Sequence, residues 1–379
     1  MRKAFSIIFC FALGACVDRI QFDIAKSNNY GIVIDGFISD KQGPYEVKVS
    51  KAFDIESKET RKTAISVRRL VLSDSEGTRE ELSEIKEGTY QTKTNGIRGH
   101  VGGVYKLRVE LLDGKIYESV SDTLPAAGKM NGVYFSFNGL VNLDSEMEYG
   151  FDILANSSRG NSSSNRFMWT TTGTFQSETH PENAQQGCFL LPNGVCNRVP
   201  PCSGLRNVGT TPAGLPSFER VAPCECCTCW YKIFNSRPII SDNNFTDSEN
   251  FSGIWVDRIP LNGWIFMHKI RVEVNILSLS RQSFRFWKAI KDQKNAVNSL
   301  FQPISGKIPF NFIQLAGDEA PVQGIFYATA ISSESVYITR NDVPRLSMIP
   351  SLEATGIGWV SCLELFPNAT NVKPLFWED

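Results

Sequence analysis

The sequence predicts a mainly β protein in two parts, and three patterns carry the prediction. Short runs of alternating apolar and polar residues recur along most of the chain, the period of a strand with one buried face. A single stretch near residue 280 changes to three- and four-residue spacing, the period of a helix. Four cysteines crowd into "CECCTC", Cys224 to Cys229, within a segment rich in Pro, Gly and Asn.

The chain opens "MRKAFSIIFCFALGAC", with Arg2 and Lys3 followed by an apolar run from Ala4 to Ala15. That run is shorter than the ~20 apolar residues of a spanning helix and has the basic and apolar regions of a secretory signal. It ends Leu13-Gly14-Ala15-Cys16, which resembles a bacterial lipobox. The small residues let a peptidase close on the backbone, and the Cys16 thiol takes the lipid. A signal peptide is expected over 1–15 and a lipidated tether over 16–28. No second long apolar run exists, so the acyl chains would be the only membrane anchor, and the lipid on Cys16 the only covalent group, with no cofactor beside it.

Strand patterns follow. "YGIVIDGFI", the turn "SDKQGP" and "YEVKVS" come first, with Tyr45, Val47 and Val49 on one face. "AISVRRLVLSD" is another strand, and "VYKLRVELL" and "KIYESVS" make a hairpin about Asp113-Gly114, a pair that tolerates positive φ at both positions. Six or seven short strands over 29–123 predict an Ig-like β-sandwich. "LPAAGK", 124–129, supplies the break before a second β-rich domain over 130–379. Its strands read as "GVYFSF", "MEYGFDIL", "RFMWTTTGTF", "CWYKIF", "WIFMHKIRVEVNIL", "GIFYATAI" and "SVYITR", with "NSSRGNSSSN" as a loop tip. One amphipathic helix is expected over about 280–301, where Phe284, Trp287, Ile290, Val297 and Leu300 form a stripe that suits core packing better than a cofactor site.

Lys and Arg total 39 against 40 Asp and Glu, and removal of residues 1–15 leaves 37 against 40. Such a balance gives no sign of nucleic-acid binding or of a polybasic membrane surface. Hydrophobic residues make up 42% of the chain, which suits a globular rather than a disordered protein.

With Cys10 leaving in the signal and Cys16 lipidated, eight cysteines remain: Cys188, Cys196, Cys202, Cys224, Cys226, Cys227, Cys229 and Cys362. An even number in an exported chain favours disulfides. A thiolate metal cluster and a C-x-x-C redox pair are the alternatives. The first lacks two separated ligand pairs, and the second normally opens a helix, whereas "CWYKIF" reads as a strand. Eight cysteines allow on the order of a hundred pairings. Pairing each clustered cysteine with one outside the cluster cuts that number several-fold, a restriction motivated by the strain of a Cys226–Cys227 bridge. The insertion 178–229 has too little apolar periodicity for a core of its own, so bridges are expected to order it. It is the expected contact surface, with Trp230 and Tyr231 fixing its base, and no metal is expected.

No catalytic motif emerges. His100 sits in a Gly-rich turn, His180 in "ETHPEN" and His268 in a strand pattern, none within a zinc-protease helix or a nucleophile elbow. The "DSE" runs at 74–76, 144–146 and 247–249 lack the spacing of a calcium loop. A hydrolase would need two carboxylates brought together from distant positions.

The lipobox, "VIDGFISDKQGPYEVKVS", the pair "FRFWKAI" and "VQGIFYATAIS", and the placements "CTCW" and Cys362…Pro374…Trp377 resemble one family. It comprises Bacteroidota envelope lipoproteins known only as a domain of unknown function, whose genes commonly lie beside those of TonB-dependent outer-membrane receptors. The likeness runs from about Tyr30 to Trp377 and carries over only Cys16 as a functional residue. It implies a non-enzymatic accessory of such a receptor or of another outer-membrane complex, held in the outer membrane by its acyl chains. The cell-surface face is expected ahead of the periplasmic one; acids just after the lipidated cysteine favour that export, and here Asp18 is the first acid after Cys16, with Arg19 following it. A structural or envelope-assembly lipoprotein is the alternative, and a secreted hydrolase with dispersed carboxylates the second.

Overall fold

Alternation in the sequence becomes strand pairing along nearly the whole chain. The computed structural model describes residues 31–51, 63–141, 144, 146–182, 199–212, 216–235, 239–241, 249–297, 308–352, 359–366 and 368–378. The expected signal, Cys16, its tether, Cys188, Cys196 and the end of the expected helix lie outside them. The N-terminal strands are β1 (Ile32–Ser39), β2 (Glu46–Lys51), β3 (Arg69–Asp74), β4 (Arg79–Glu81), β5 (Ser83–Lys86), β6 (Thr89–Gln91), β7 (Val104–Glu110), β8 (Ile116–Ser119) and β9 (Asp122–Thr123). After the Pro and Gly break come β10 (Lys129–Val141), β11 (Met147–Ser158), β12 (Phe167–Glu178), β13 (Leu205–Thr210), β14 (Pro216–Arg220), β15 (Thr228–Phe234), β16 (Ile239–Ile240), β17 (Asn250–Pro260) and β18 (Lys269–Ser278). Helix α1 (Arg281–Val297), β19 (Phe312–Ala316), β20 (Val322–Thr339) and the short α2 (Cys362–Leu365) complete the order.

One large sheet organises the molecule, in the order β15-β12-β18-β20-β1-β2-β6-β5, with β16 against β12. A second sheet, β19-β8-β7-β3-β4 with β9 on β7, packs over its β1 half. Ile34, Ile38, Val47 and Val49 from one sheet meet Leu70, Leu72, Leu107 and Val109 from the other. A third sheet, β10-β11-β17, covers the same face over β12 and β18, burying Phe151, Ile153, Trp169, Val272 and Val274. Sheets packed this way join along the hydrophobic faces that strand alternation creates. The two halves of the chain share both larger sheets, because β20 pairs in parallel with β1 and β19 pairs with β8.

The opposite face of the large sheet carries α1. Ser280 caps it: its hydroxyl accepts from Ser283 N at 3.2 Å and its carbonyl from Phe284 N at 3.0 Å. Phe286, with Phe284, Trp287 and Ile290, packs on Met168, Leu277, Leu279, Ile325 and Tyr327. The helix therefore uses its stripe for packing.

Three local expectations change. Only Gly114 of the Asp113-Gly114 pair has positive φ, at 90°, and Gly114 N donates to Leu111 O, so the loop closes one residue earlier. Trp264 to Met267 form a turn before β18, stabilised by Asn262 Oδ1 accepting from Trp264 N. "GIFYATAI" and "SVYITR" are one strand, β20, whose intervening Ser332 to Ser335 remain paired with β18.

Gly324 is where the first and last long strands meet most closely. It has φ +103° opposite Ile34, and a Cβ there would lie 1.9 Å from the Ile34 carbonyl oxygen. Gly324→Ala is therefore expected to lower unfolding free energy by about 1–3 kcal/mol or more, read from urea midpoints; an unchanged midpoint would contradict this account of the junction. Asp122 is a second sensitive point. It is buried on β9, and its Oδ2 accepts from Ala328 N of β20 at 3.0 Å. Burial raises its pKa above the ordinary 3.8, against hydrogen bonds that lower it. With the folded pKa raised, the native state holds the proton more tightly. The Asp122 contribution is then full below the unfolded value and is lost as pH rises through the folded one. Asp122→Asn is expected to flatten the decline of stability above about pH 4, measured by denaturant titration at several pH values.

Candidate functional site

Five neighbouring strands, β15, β12, β18, β20 and β1, and one helix build a groove on the α1 face. Its volume is about 1160 Å³ and it opens to solvent. Register fixes its floor. Met168, Leu277 and Ile331 stand opposite one another on β12, β18 and β20 and form an apolar row. The next row is Thr170, Asn275 and Ser333, in which Ser333 Oγ donates to Asn275 Oδ1 at 2.6 Å. Beyond it Thr172 stands opposite Glu273, whose carboxylate is held by Arg271 at 2.8 Å. Because side chains alternate across a strand, these rows share one face while Trp169, Val272 and Val274 point into the opposite core.

The apolar end lies beneath α1. Trp287 meets the Tyr327 ring edge-on at 6.2 Å, and Phe37 of β1 lies 5.6 Å from Tyr327. Full burial, and then the Asp35 charge, push the Tyr327 hydroxyl far up, so it stays a neutral phenol at any physiological pH. Lys41, Lys294 and Asp35 border the groove. Its carboxylates do not form a hydrolytic pair. Asp35 stands opposite Ile325 and Glu273 opposite Ser335, which is about 33 Å of strand contour at ~3.3 Å per residue. Glycosidase carboxylates lie roughly 5–10 Å apart.

The histidines are dispersed. His100 Nδ1 meets the Tyr105 hydroxyl at 3.0 Å, His268 Nε2 lies 3.0 Å from Glu178, and His180 Nδ1 lies 3.3 Å from Glu182. In the first "DSE" run, Asp74 Oδ1 accepts from Glu76 N and Thr78 N, a turn role.

The six described cysteines pair as disulfides: Cys202–Cys226, Cys224–Cys227 and Cys229–Cys362. The first and third join the cluster to cysteines outside it. Cys224–Cys227 stays within the cluster and corrects the expected restriction. Strain bars a bridge between adjacent cysteines but not one across a turn, and the turn here brings the two Cα atoms to 5.6 Å. This C-x-x-C precedes β15 rather than a helix. Within the insertion, β13 and β14 form a hairpin whose residues after Leu205 on β13 are exposed. Trp230 and Tyr231 lie on β15 in the large sheet. Trp230 exchanges backbone bonds with Thr370, and Tyr231 packs against Phe175 and Phe366 at 5.4 and 5.2 Å. The groove itself went unread in the sequence, since its polar rows come from three strands that only register aligns.

The three bridges differ in what they restrain. Cys229–Cys362 spans 133 residues between two fully buried cysteines, whereas Cys224–Cys227 spans three. Loss of Cys229–Cys362 as the double Ser variant is expected to cost about 2–5 kcal/mol, and loss of Cys224–Cys227 far less, because a longer closed loop restricts the unfolded chain more. Non-reducing thermal melts of the two variants would test the order; equal losses would overturn it.

A family model described as a domain of unknown function (DUF4249) matches residues 17–335. No curated protein matches the chain.

Proposed function

The chain belongs to the DUF4249 family, and on that premise we propose that it is a lipid-anchored, non-enzymatic accessory of an outer-membrane receptor that holds a ligand in its groove. The carrying observation is the graded floor. An apolar row under Trp287 and Tyr327 passes into the Thr170–Asn275–Ser333 row. A pocket that is mostly apolar with a few placed polar groups is the usual form of a small-molecule site. It suits a ligand with an apolar face and a hydrogen-bonding edge. The resemblance to Bacteroidota envelope lipoproteins points to a receptor of the TonB-dependent type. Anchoring rests on Leu13-Gly14-Ala15-Cys16, and among the described residues no helix is long and apolar enough to cross a membrane. The reading places the protein at the outer membrane, on the cell-surface face.

Three measurements test this reading. Cys16→Ser is expected to leave the protein soluble or unprocessed, and sedimentation of that variant with outer membrane after a high-salt wash would count against the anchor. Affinity purification from detergent-solubilised membranes is expected to recover a receptor barrel. Native mass spectrometry of the eluate should show a small-molecule adduct that the Asn275→Ala, Ser333→Ala double variant loses. Recovery of an envelope-assembly machine in place of a receptor would favour the structural alternative.

A further inference from the structure

The segment that follows β12 delivers a carboxylate, Glu182, to the most accessible of the three described disulfides. Among those bridges only Cys224–Cys227 has neither cysteine buried, since Cys226, Cys229 and Cys362 are all at 0% exposure. Glu182 lies beside it, with Oε2 3.3 Å from Cys227 Sγ and Oε1 3.3 Å from His180 Nδ1. A disulfide sulfur has no proton to donate, so in the oxidised form this contact brings a carboxylate against a weak acceptor. The carboxylate oxygen and the two sulfurs lie within 4.8 Å of one another.

We infer that Cys224, Cys227 and Glu182 form a redox-gated site for Zn²⁺, closed while the disulfide is intact and opened by a small-molecule thiol. The chemistry balances in two stages. A thiolate of the reductant attacks one sulfur, the S–S bond breaks, and the other cysteine leaves as a thiolate that takes a proton. A second thiolate resolves the mixed disulfide, so the reductant departs as its own disulfide, and two electrons and two protons enter the chain. Zn²⁺ then displaces both thiol protons and takes two sulfur ligands and one Glu182 oxygen. This is the mixed sulfur and oxygen set that zinc accepts, with a fourth position left to solvent. His180 is a positioning residue that holds the second carboxylate oxygen, as partners of zinc ligands commonly do.

The surrounding structure keeps the turn in place without the bridge. Cys227 O accepts from Thr179 N at 2.8 Å, and Cys226 O accepts from Cys362 N at 3.1 Å. Glu225 N donates to Cys202 O at 2.8 Å, and Asn371 Nδ2 donates to Glu225 O at 3.0 Å. Cys202–Cys226 and Cys229–Cys362 flank the pair. Opening Cys224–Cys227 therefore frees two thiols on a scaffold already ordered, which lowers the entropic cost of capturing an ion.

The test uses the purified chain and the metal alone. After mild thiol treatment and desalting, alkylation mass spectrometry is expected to label Cys224 and Cys227 first. Co²⁺ added to that form should give sulfur-to-metal charge-transfer bands and the strong visible bands of a tetrahedral site. Zn²⁺ should displace it, and the oxidised chain should give neither spectrum. Glu182→Gln is expected to weaken Co²⁺ binding, and His180→Ala to weaken it by about 10- to 100-fold, both with unchanged far-UV circular dichroism. Prior labelling of Cys202 or Cys226, an octahedral Co²⁺ spectrum, or undiminished binding in Glu182→Gln would overturn the site.

Discussion

β20 has to satisfy the hydrogen bonding of two sheet halves at once, and the rest of the structure depends on how it does so. Its first part, Val322 to Thr329, pairs in parallel with β1, and its second, Ala330 to Thr339, pairs antiparallel with β18. Where one partner gives way to the other, buried amides would be orphaned, at a cost comparable to a lost hydrogen bond each. Side chains take them. Asn311 accepts from Phe326 N at 3.0 Å and donates to Phe326 O at 2.6 Å, Asp122 accepts from Ala328 N, and Asp40 accepts from Ile331 N at 2.8 Å. These bonds let one strand of 18 residues cross the molecule without a break.

The same strand divides the two faces. Phe326, Ala328 and Ala330 enter the core beneath the six-stranded sheet, and Ile338 enters the core beneath β10-β11-β17. The residues of opposite parity, Ile325, Tyr327, Ile331 and Ser333, face α1 and the groove. A groove therefore forms because two further sheets pack on one face of the large sheet, while among the described residues α1, with Ile308 and Phe310, covers part of the other. Its polarity follows the helix: apolar side chains lie where α1 packs, and Asn275, Ser333 and Glu273 lie beyond it.

What could be read in the sequence was the local part. Alternation in "YEVKVS" and "VYKLRVELL" marks β2 and β7, and the aromatic stripe marks α1 with its start at Ser280, because each signal is complete within a few residues. Trp264 to Met267 misled because an apolar turn packing on the core has the composition of a strand. Ser332 to Ser335 misled in the other direction, since a polar run reads as a break even where the backbone stays paired. The disulfide chemistry was legible from the even count of cysteines, and the Cys224–Cys227 pairing was not, because it depends on a turn that no residue in "CECC" announces. The groove was least legible. Thr170, Asn275 and Ser333 are more than 50 residues apart in the chain and meet only through strand register.

The groove and the cysteine turn lie on one strand pair, which bears on how they relate. β15 begins at Thr228, opposite Glu178, next to the Cys224–Cys227 turn. It ends at Phe234, opposite Thr172, on the groove wall. Six residues of strand separate them, about 20 Å at ~3.3 Å per residue. That exceeds the Debye length of about 8 Å at physiological salt, so an ion bound at Glu182 would act only weakly on the charge of Glu273 across solvent. Coupling between the two would have to pass through the backbone, and the register from Thr172–Phe234 to Glu178–Thr228 is unbroken and held at its start by the buried Cys229–Cys362 bridge. At the other end Asn235 N donates to Thr171 O at 3.2 Å and its Nδ2 to Val256 O at 2.8 Å, so coupling would require a second arrangement of this bonded strand for one site to bias in the other. The groove and the thiol turn thus stand at opposite ends of one continuous strand pair.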